Sequence, residues 1–147
     1  MDLRQVVASA LPMVSAEARD RANLVSELGE VPPVLGDERQ LGQIVINLVM
    51  NALQAIPRGA PLANRVTVTT RTQGDDVALI VSDTGPGIPE DILPRVFDPF
   101  FTTKAGEGTG LGRAVTQQLV SRHRGQIQLD NTPNGTTALV TLPAHID

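Results

Sequence analysis

The sequence predicts a single α+β domain, with helices covering one face of a mostly antiparallel sheet. Three observations predict it. Apolar residues recur with helical spacing in two long early segments, and a third helix follows a glycine-rich stretch. Five short runs read as strands, and four of them pair off across tight turns as two hairpins. The 147 residues contain no internal repeat and no linker-like segment, which suits one core.

Taken in order, Leu3, Val6, Val7, Ala10, Leu11, Val14 and Ala18 follow the pattern of an amphipathic helix running from about Leu3 to Arg19. The apolar stretch VVASALPMVSA within it ends in small residues, as a signal peptide does, but no basic leader precedes it. Asn23 to Leu28 reads as a short strand, closed by Pro32 and Pro33. Asp37 is placed to cap a helix from Glu38 to Ile56, which Pro57 and Gly59 stop. Arg65 to Thr72 alternates Val66 and Val68 with Thr67 and Thr69, the pattern of a half-buried strand. The turn Gly74-Asp75-Asp76 leads into the apolar run Val77 to Ser82, a more buried strand. Gly85 to Gly110 is irregular and rich in Gly, Pro and Thr, longer than ordinary connections and typical of a binding loop. A helix from Leu111 to His123 ends at Gly125. Strands Gln126 to Asn131 and Thr137 to Leu142 flank the turn Pro133-Asn134-Gly135.

Composition narrows the chemistry. No cysteine is present, so thiolate metal sites and cysteine nucleophiles are excluded. A net charge of −4 argues against general affinity for nucleic acid or anionic membrane. No stretch approaches the ~20 apolar residues of a membrane span. Trp and Tyr are absent, and the three Phe residues, Phe97, Phe100 and Phe101, cluster in one segment, which points to a local task there.

The helix from Glu38 carries two stripes. Leu41, Ile44, Val45, Leu48, Val49 and Ala52 form the buried one. Gln40, Gln43, Asn47, Asn51, Gln54 and Arg58 form the other, rich in amides where a merely solvated face would favour Lys and Glu. Asn47 and Asn51 lie one turn apart and point the same way. An Asn carbonyl is a hard oxygen ligand suited to Mg²⁺, which keeps waters and bridges to phosphates.

DTGPGIP (83–89) follows directly on a buried strand. It reads either as a tight turn or as a binding edge, with Asp83 offering a carboxylate to an amino group and glycines admitting a ligand close to the backbone. GEGTGLG (106–112) precedes a helix, where free N–H groups and the helix dipole favour an anion. It is neither a P-loop nor a Rossmann fingerprint. FDPFFTTK (97–104) between them is either a small hydrophobic cluster pinning a loop or a lid carrying Lys104 toward phosphate.

The order of these segments is more specific than any one. Asn47-x3-Asn51, DTGPGIP, FDPFFTTK and GEGTGLG together resemble the N, G1, F and G2 boxes of the sensor histidine kinase ATP-binding domain, in the GHKL superfamily. The likeness covers nearly the whole chain, including PPVLGDERQLGQIVINLVMNALQAIP and NGTTALVTLP, and FFTTK is similar to the nitrogen-regulator type. The resemblance implies a two-layer α/β sandwich, the Bergerat fold, with a long ATP lid. It implies ATP and Mg²⁺ as cofactors, Asn51 as metal ligand, and Asn47 supporting metal or triphosphate. It implies Asp83 on the adenine amino group, Gly85, Gly87 and Ile88 around it, and Thr136 assisting. Phe97, Phe100 and Phe101 would anchor the lid, with Thr102, Thr103 and Lys104 near the phosphates. Gly108, Thr109, Gly110, Leu111 and Gly112 would cradle the triphosphate.

The resemblance also implies a γ-phosphoryl transfer to a histidine on a separate dimerisation hairpin, then to a response regulator, in the cytoplasm. Neither His123 nor His145 resembles that acceptor, and the chain begins about where the hairpin would end. The expectation is a single catalytic domain over 1–147, monomeric, that binds MgATP without phosphorylating itself. Three positions depart from the pattern: Arg113, Arg124 and Ala138 stand where a small or apolar residue, a glycine and an aromatic are usual. A hydrolase of the same superfamily would carry a glutamate as general base where Asn47 stands. A free serine kinase that binds a sigma factor would be equally small but fits the FFTTK lid less well. A degenerate ATP-binding module serving only interaction is the third alternative, and Arg113 is what keeps it open.

Overall fold

The computed structural model describes residues 1–87 and 111–145, without the side chains of 111–113. Ile88, Phe97, Phe100, Phe101, Thr102, Thr103, Lys104, Gly108, Thr109 and Gly110 lie outside the described residues.

The first helix is shorter than its periodicity suggests. Helix α1 spans Leu3–Ala10, a 3₁₀ turn spans Leu11–Val14, and α2 spans only Ser15–Ala18. Pro12 explains the break, because it has no N–H for the α-helical bond and its ring crowds the preceding turn. The apolar stripe survives the change of winding: Leu3, Val6, Val7, Ala10, Val14 and Ala18 are all buried. Asp2 caps α1, its carboxylate accepting the Arg4 N–H at 3.0 Å.

Strand β1 spans Asn23–Leu28 and helix α3 spans Glu38–Gln54. Asp37 caps α3 as expected, accepting the N–H groups of Arg39 and Gln40 at 2.9 and 3.1 Å. The helix ends two residues before Ile56, and its last carbonyls are met from outside. The buried guanidinium of Arg21 donates through Nη1 to the Ile56 carbonyl at 2.9 Å and the Leu53 carbonyl at 3.4 Å. A short 3₁₀ turn, Pro61–Ala63, precedes β2, Arg65–Gln73, and β3, Asp76–Asp83. Helix α4, Leu111–Arg122, leads to β4, Gln126–Thr132, and β5, Gly135–Pro143.

The strands lie in the order β1-β2-β3-β5-β4, with β1 parallel to β2 and every other pair antiparallel. The parallel pair exists because α3 intervenes between β1 and β2, whereas two-residue turns join the hairpins. The pairing register stacks side chains into rows on the helix-covered face. One row reads Val68, Val81, Ala138, Leu129, and the next Thr70, Leu79, Val140, Ile127. These residues, with Leu41, Ile44, Val45, Leu48 and Val49 of α3, form the core.

Helix α4 closes with the Gly125 N–H on the Val120 carbonyl at 2.9 Å and the Arg124 N–H on the Ser121 carbonyl at 3.0 Å, a Schellman motif. That motif puts Arg124 in the left-handed region, at φ +59°. This is the position where the sequence lacks the usual glycine. A Cβ there costs about 1 kcal/mol. Arg124→Gly is therefore expected to stabilise the domain by about 1 kcal/mol and raise its melting temperature by about 2–4 °C, measured by calorimetry. An unchanged or lower melting temperature would count against strain at this cap.

Candidate functional site

The outermost row on the helix-covered face differs from the others. It reads Leu24, Val66, Asp83, Thr136, Asn131 and turns polar where β3, β5 and β4 meet. Asp83, the last residue of β3, is only 8% exposed. Its Oδ1 accepts the Gly85 N–H at 2.8 Å. Burial pushes its carboxyl above the usual range, and hydrogen bonds from the backbone N–H groups of Gly85 and Thr136 partly offset that.

Glycines make this arrangement possible. A Cβ on Gly135 would run into the Asp83 carbonyl oxygen, so only glycine lets β5 start this close to the end of β3. Gly87 adopts φ +82°, a left-handed conformation, and a Cβ there would approach the Asn131 Oδ1 to 3.2 Å. The glycines of the DTGPG turn thus hold it against the β4–β5 hairpin.

Above Asp83 lies a cleft of about 540 Å³, including its open mouth. Leu48, Ala52 and Ala55 of α3 form one wall, and Val81, Ala138, Ile127 and Leu129 of the sheet form the other. Asp83, Thr136 and Gly87 close one end, and Asn51 and Thr116 lie on the helix side. An apolar slot with one carboxylate at its floor suits a flat ring bearing an amino donor. A pocket for such a ring needs no positive charge, and among the described residues that line it there is none.

The paired asparagines are separated by their contacts. Asn51 lines the cleft. Asn47 instead bridges two helices: its Nδ2 donates to the Thr116 Oγ1 of α4 at 3.1 Å, and its Oδ1 accepts from the Gln43 Nε2 at 2.6 Å. At the other end of the same seam, the Asp37 N–H donates to the His123 Nε2 at 3.2 Å. The His123 Nδ1 meets the Leu119 carbonyl at 2.8 Å, so the ring spans the two helices with Nδ1 placed to donate and Nε2 to accept. These contacts run in opposite directions along α3 and α4. The helices are therefore antiparallel, and the last turns of α3, with Asn51, lie alongside the first turn of α4, at Leu111 and Gly112. Free N–H groups of that first turn favour an anion.

Asn51 is also the residue best suited to a divalent cation. Among the described residues no three His, Asp or Glu side chains gather to hold a metal by themselves. A single amide oxygen at the cleft edge fits Mg²⁺ bound mainly through a ligand's phosphates and waters. The stripe of inward residues on β4, and Thr116 and Ala55 in the cleft wall, were not singled out from the sequence. The alternation Ile127, Leu129, Asn131 signals the first; nothing local signals the other two.

Because folding raises the Asp83 pKa, the folded chain binds that proton more tightly than the unfolded chain. The stability tied to the neutral form is present at low pH and is lost as pH rises through the folded value, which lies above 3.8. Asp83→Asn, which keeps an acceptor for Gly85, is therefore expected to raise the ligand-free melting temperature at pH 7. The gain should shrink as pH falls toward the carboxyl range. A gain independent of pH would show that burial of the charge is not its source.

Residues 36–146 match the family described as histidine kinase-, DNA gyrase B- and HSP90-like ATPases. The sensor histidine kinase ZraS of Escherichia coli (strain K12) is 36% identical, over 99% of this chain and 31% of its own length. The chain thus spans about a third of that relative. Among solved structures, the mycobacterial sensor histidine kinase MprB superposes with a TM-score of 0.85 at 29% identity, covering 100% of this chain and 99% of that one. The catalytic domain of the histidine kinase ThkA gives a TM-score of 0.84 at 27% identity, covering 97% and 93%. The five-stranded mixed sheet and its helices match those domains in order and extent. The chain belongs to the family of histidine kinase-, DNA gyrase B- and HSP90-like ATPases, as a catalytic domain of the sensor histidine kinase type.

Proposed function

We propose that this domain binds MgATP and donates its γ-phosphoryl group to a histidine on a separate dimerisation domain, from which a response regulator receives it. The observation that carries the reading is the Asp83 carboxylate, buried at one end of an apolar cleft that Asn51 of α3 also lines. Adenine would lie between Leu48, Ala52 and the sheet, its amino group donating to Asp83, with Thr136 beside it. The phosphates would extend toward Asn51 and the first turn of α4, at Leu111 and Gly112. Mg²⁺ would supply neutralisation of the phosphate charge, with Asn51 as its protein ligand.

The rest of the site falls to residues carried over from the family resemblance. Gly108, Thr109 and Gly110 would complete the phosphate cradle, and Lys104 would add a cation. Ile88, Thr102 and Thr103 would line the ligand, and Phe97 and Phe101 would anchor the lid. Catalysis here is mostly positioning, because phosphoryl transfer demands little covalent chemistry from the protein. Asn47 cannot take a proton from water, which favours transfer to a protein acceptor over hydrolysis. Residues 1–147 would act as one cytoplasmic catalytic domain, a monomer by itself. Among the described residues no helix is long and apolar enough to cross a membrane.

Calorimetric titration with ATP and ADP, with and without Mg²⁺, tests this reading. Asp83→Ala is expected to weaken adenine nucleotides by about 2–3 kcal/mol, roughly a hundredfold, through loss of a charged hydrogen bond. Asn51→Ala should leave Mg²⁺-free ADP binding in place and remove the increment that Mg²⁺ adds. A folded wild type that binds no adenine nucleotide would refute the reading.

A further inference from the structure

We infer that Thr116 is a positioning residue for the phosphate end of the nucleotide, acting through Asn47; the inference rests on the MgATP reading. Thr116 is fully buried, at 0% exposure, on the cleft side of α4. Apolar side chains surround much of this wall, and Val would fill the same volume without a hydroxyl to satisfy. The hydroxyl is used. It accepts the Asn47 Nδ2 at 3.1 Å, while the Asn47 Oδ1 accepts the Gln43 Nε2 at 2.6 Å. Both ends of the Asn47 amide are thereby engaged, and its amino group is turned onto α4.

This bond joins the two elements that must agree in position. Helix α3 carries Asn51 one turn after Asn47, and α4 begins at Leu111, its first turn lying just before Thr116. The Asn47–Thr116 bond therefore sets the spacing between the proposed metal ligand and the N–H groups of the first α4 turn. Its distance from Asp83 matters too: the bond lies on the α3–α4 seam, not in the row of Asp83, Thr136 and Asn131. Thr116 also lines the cleft wall, so losing the bond should disturb phosphate binding more than adenine recognition.

The test compares wild type, Thr116→Val, Thr116→Ser and Asn47→Ala, and the Asn47→Ala/Thr116→Val double variant. MgATP affinity is read by calorimetry and AMP affinity by NMR titration. Thr116→Val should weaken MgATP about three- to tenfold, the effect of one lost hydrogen bond, and AMP by clearly less. Thr116→Ser should restore MgATP affinity. On the Asn47→Ala background, Thr116→Val should cause no further loss. The side-chain amide resonances of Asn47 should move in Thr116→Val and stay in Thr116→Ser. Thr116→Ala serves the same comparison if the valine variant does not fold. MgATP affinity within twofold of wild type in Thr116→Val, or equal losses for MgATP and AMP, overturns the inference while the MgATP reading stands. An additive loss in the double variant also overturns it, since Thr116 would then act without Asn47. A wild type that binds no nucleotide refutes the MgATP reading and this inference together.

Discussion

A carboxylate kept out of water must have its surroundings built for it, and the surroundings of Asp83 reach into most of this fold. The sheet must end its central strand at that residue, so the register of three antiparallel pairings is fixed there. The β5 strand must begin without a side chain, or Gly135 would collide with β3. The turn after β3 must fold back at once, so that the Gly85 N–H can reach the carboxylate. Helix α3 must lie close enough for Ala55 and Ala52 to roof the slot, and that placement relies on Arg21 holding the helix's last carbonyls. The group that a ligand would use is thus also the group around which several backbone segments are arranged.

The two helices over the sheet divide the remaining work. Their apolar faces supply the adhesion, with Leu48, Val49 and Leu53 of α3 and Leu119 and Val120 of α4 buried at the centre. Two polar contacts at the ends of the seam supply the alignment, Asn47 to Thr116 and Asp37 to His123. The hydrophobic drive behind apolar packing is non-directional, whereas a hydrogen bond depends on both distance and angle. Under the proposed MgATP reading, N–H groups and an amide oxygen that share the same phosphates would benefit from the stricter of the two constraints.

Much of this was legible in the sequence, for identifiable reasons. Five strands and the caps of α3 and α4 announce themselves through alternation, Asp37 and Gly125, all local signals. Helix α1 was overextended because apolar periodicity continues through Pro12, while the backbone winding does not. The parallel pairing of β1 with β2 has no local sign, since an edge strand of six residues reads the same in either direction. Asp83, Gly87, Asn51 and Thr136 line one cleft, and Gly85 bonds to Asp83 beside it. Asn47 does not line the cleft with its neighbour, because its choice of partner depends on Thr116, 69 residues away. Arg21 was equally hidden: a basic residue between a helix and a strand looks solvated until the helix it caps is in place.

His123 gives the seam a chemical consequence. One ring nitrogen faces a carbonyl of α4 and the other accepts the backbone N–H at the start of α3, so both edges of the ring are engaged. The imidazole is thereby mortar between two helices, its ring fixed by the backbone of both.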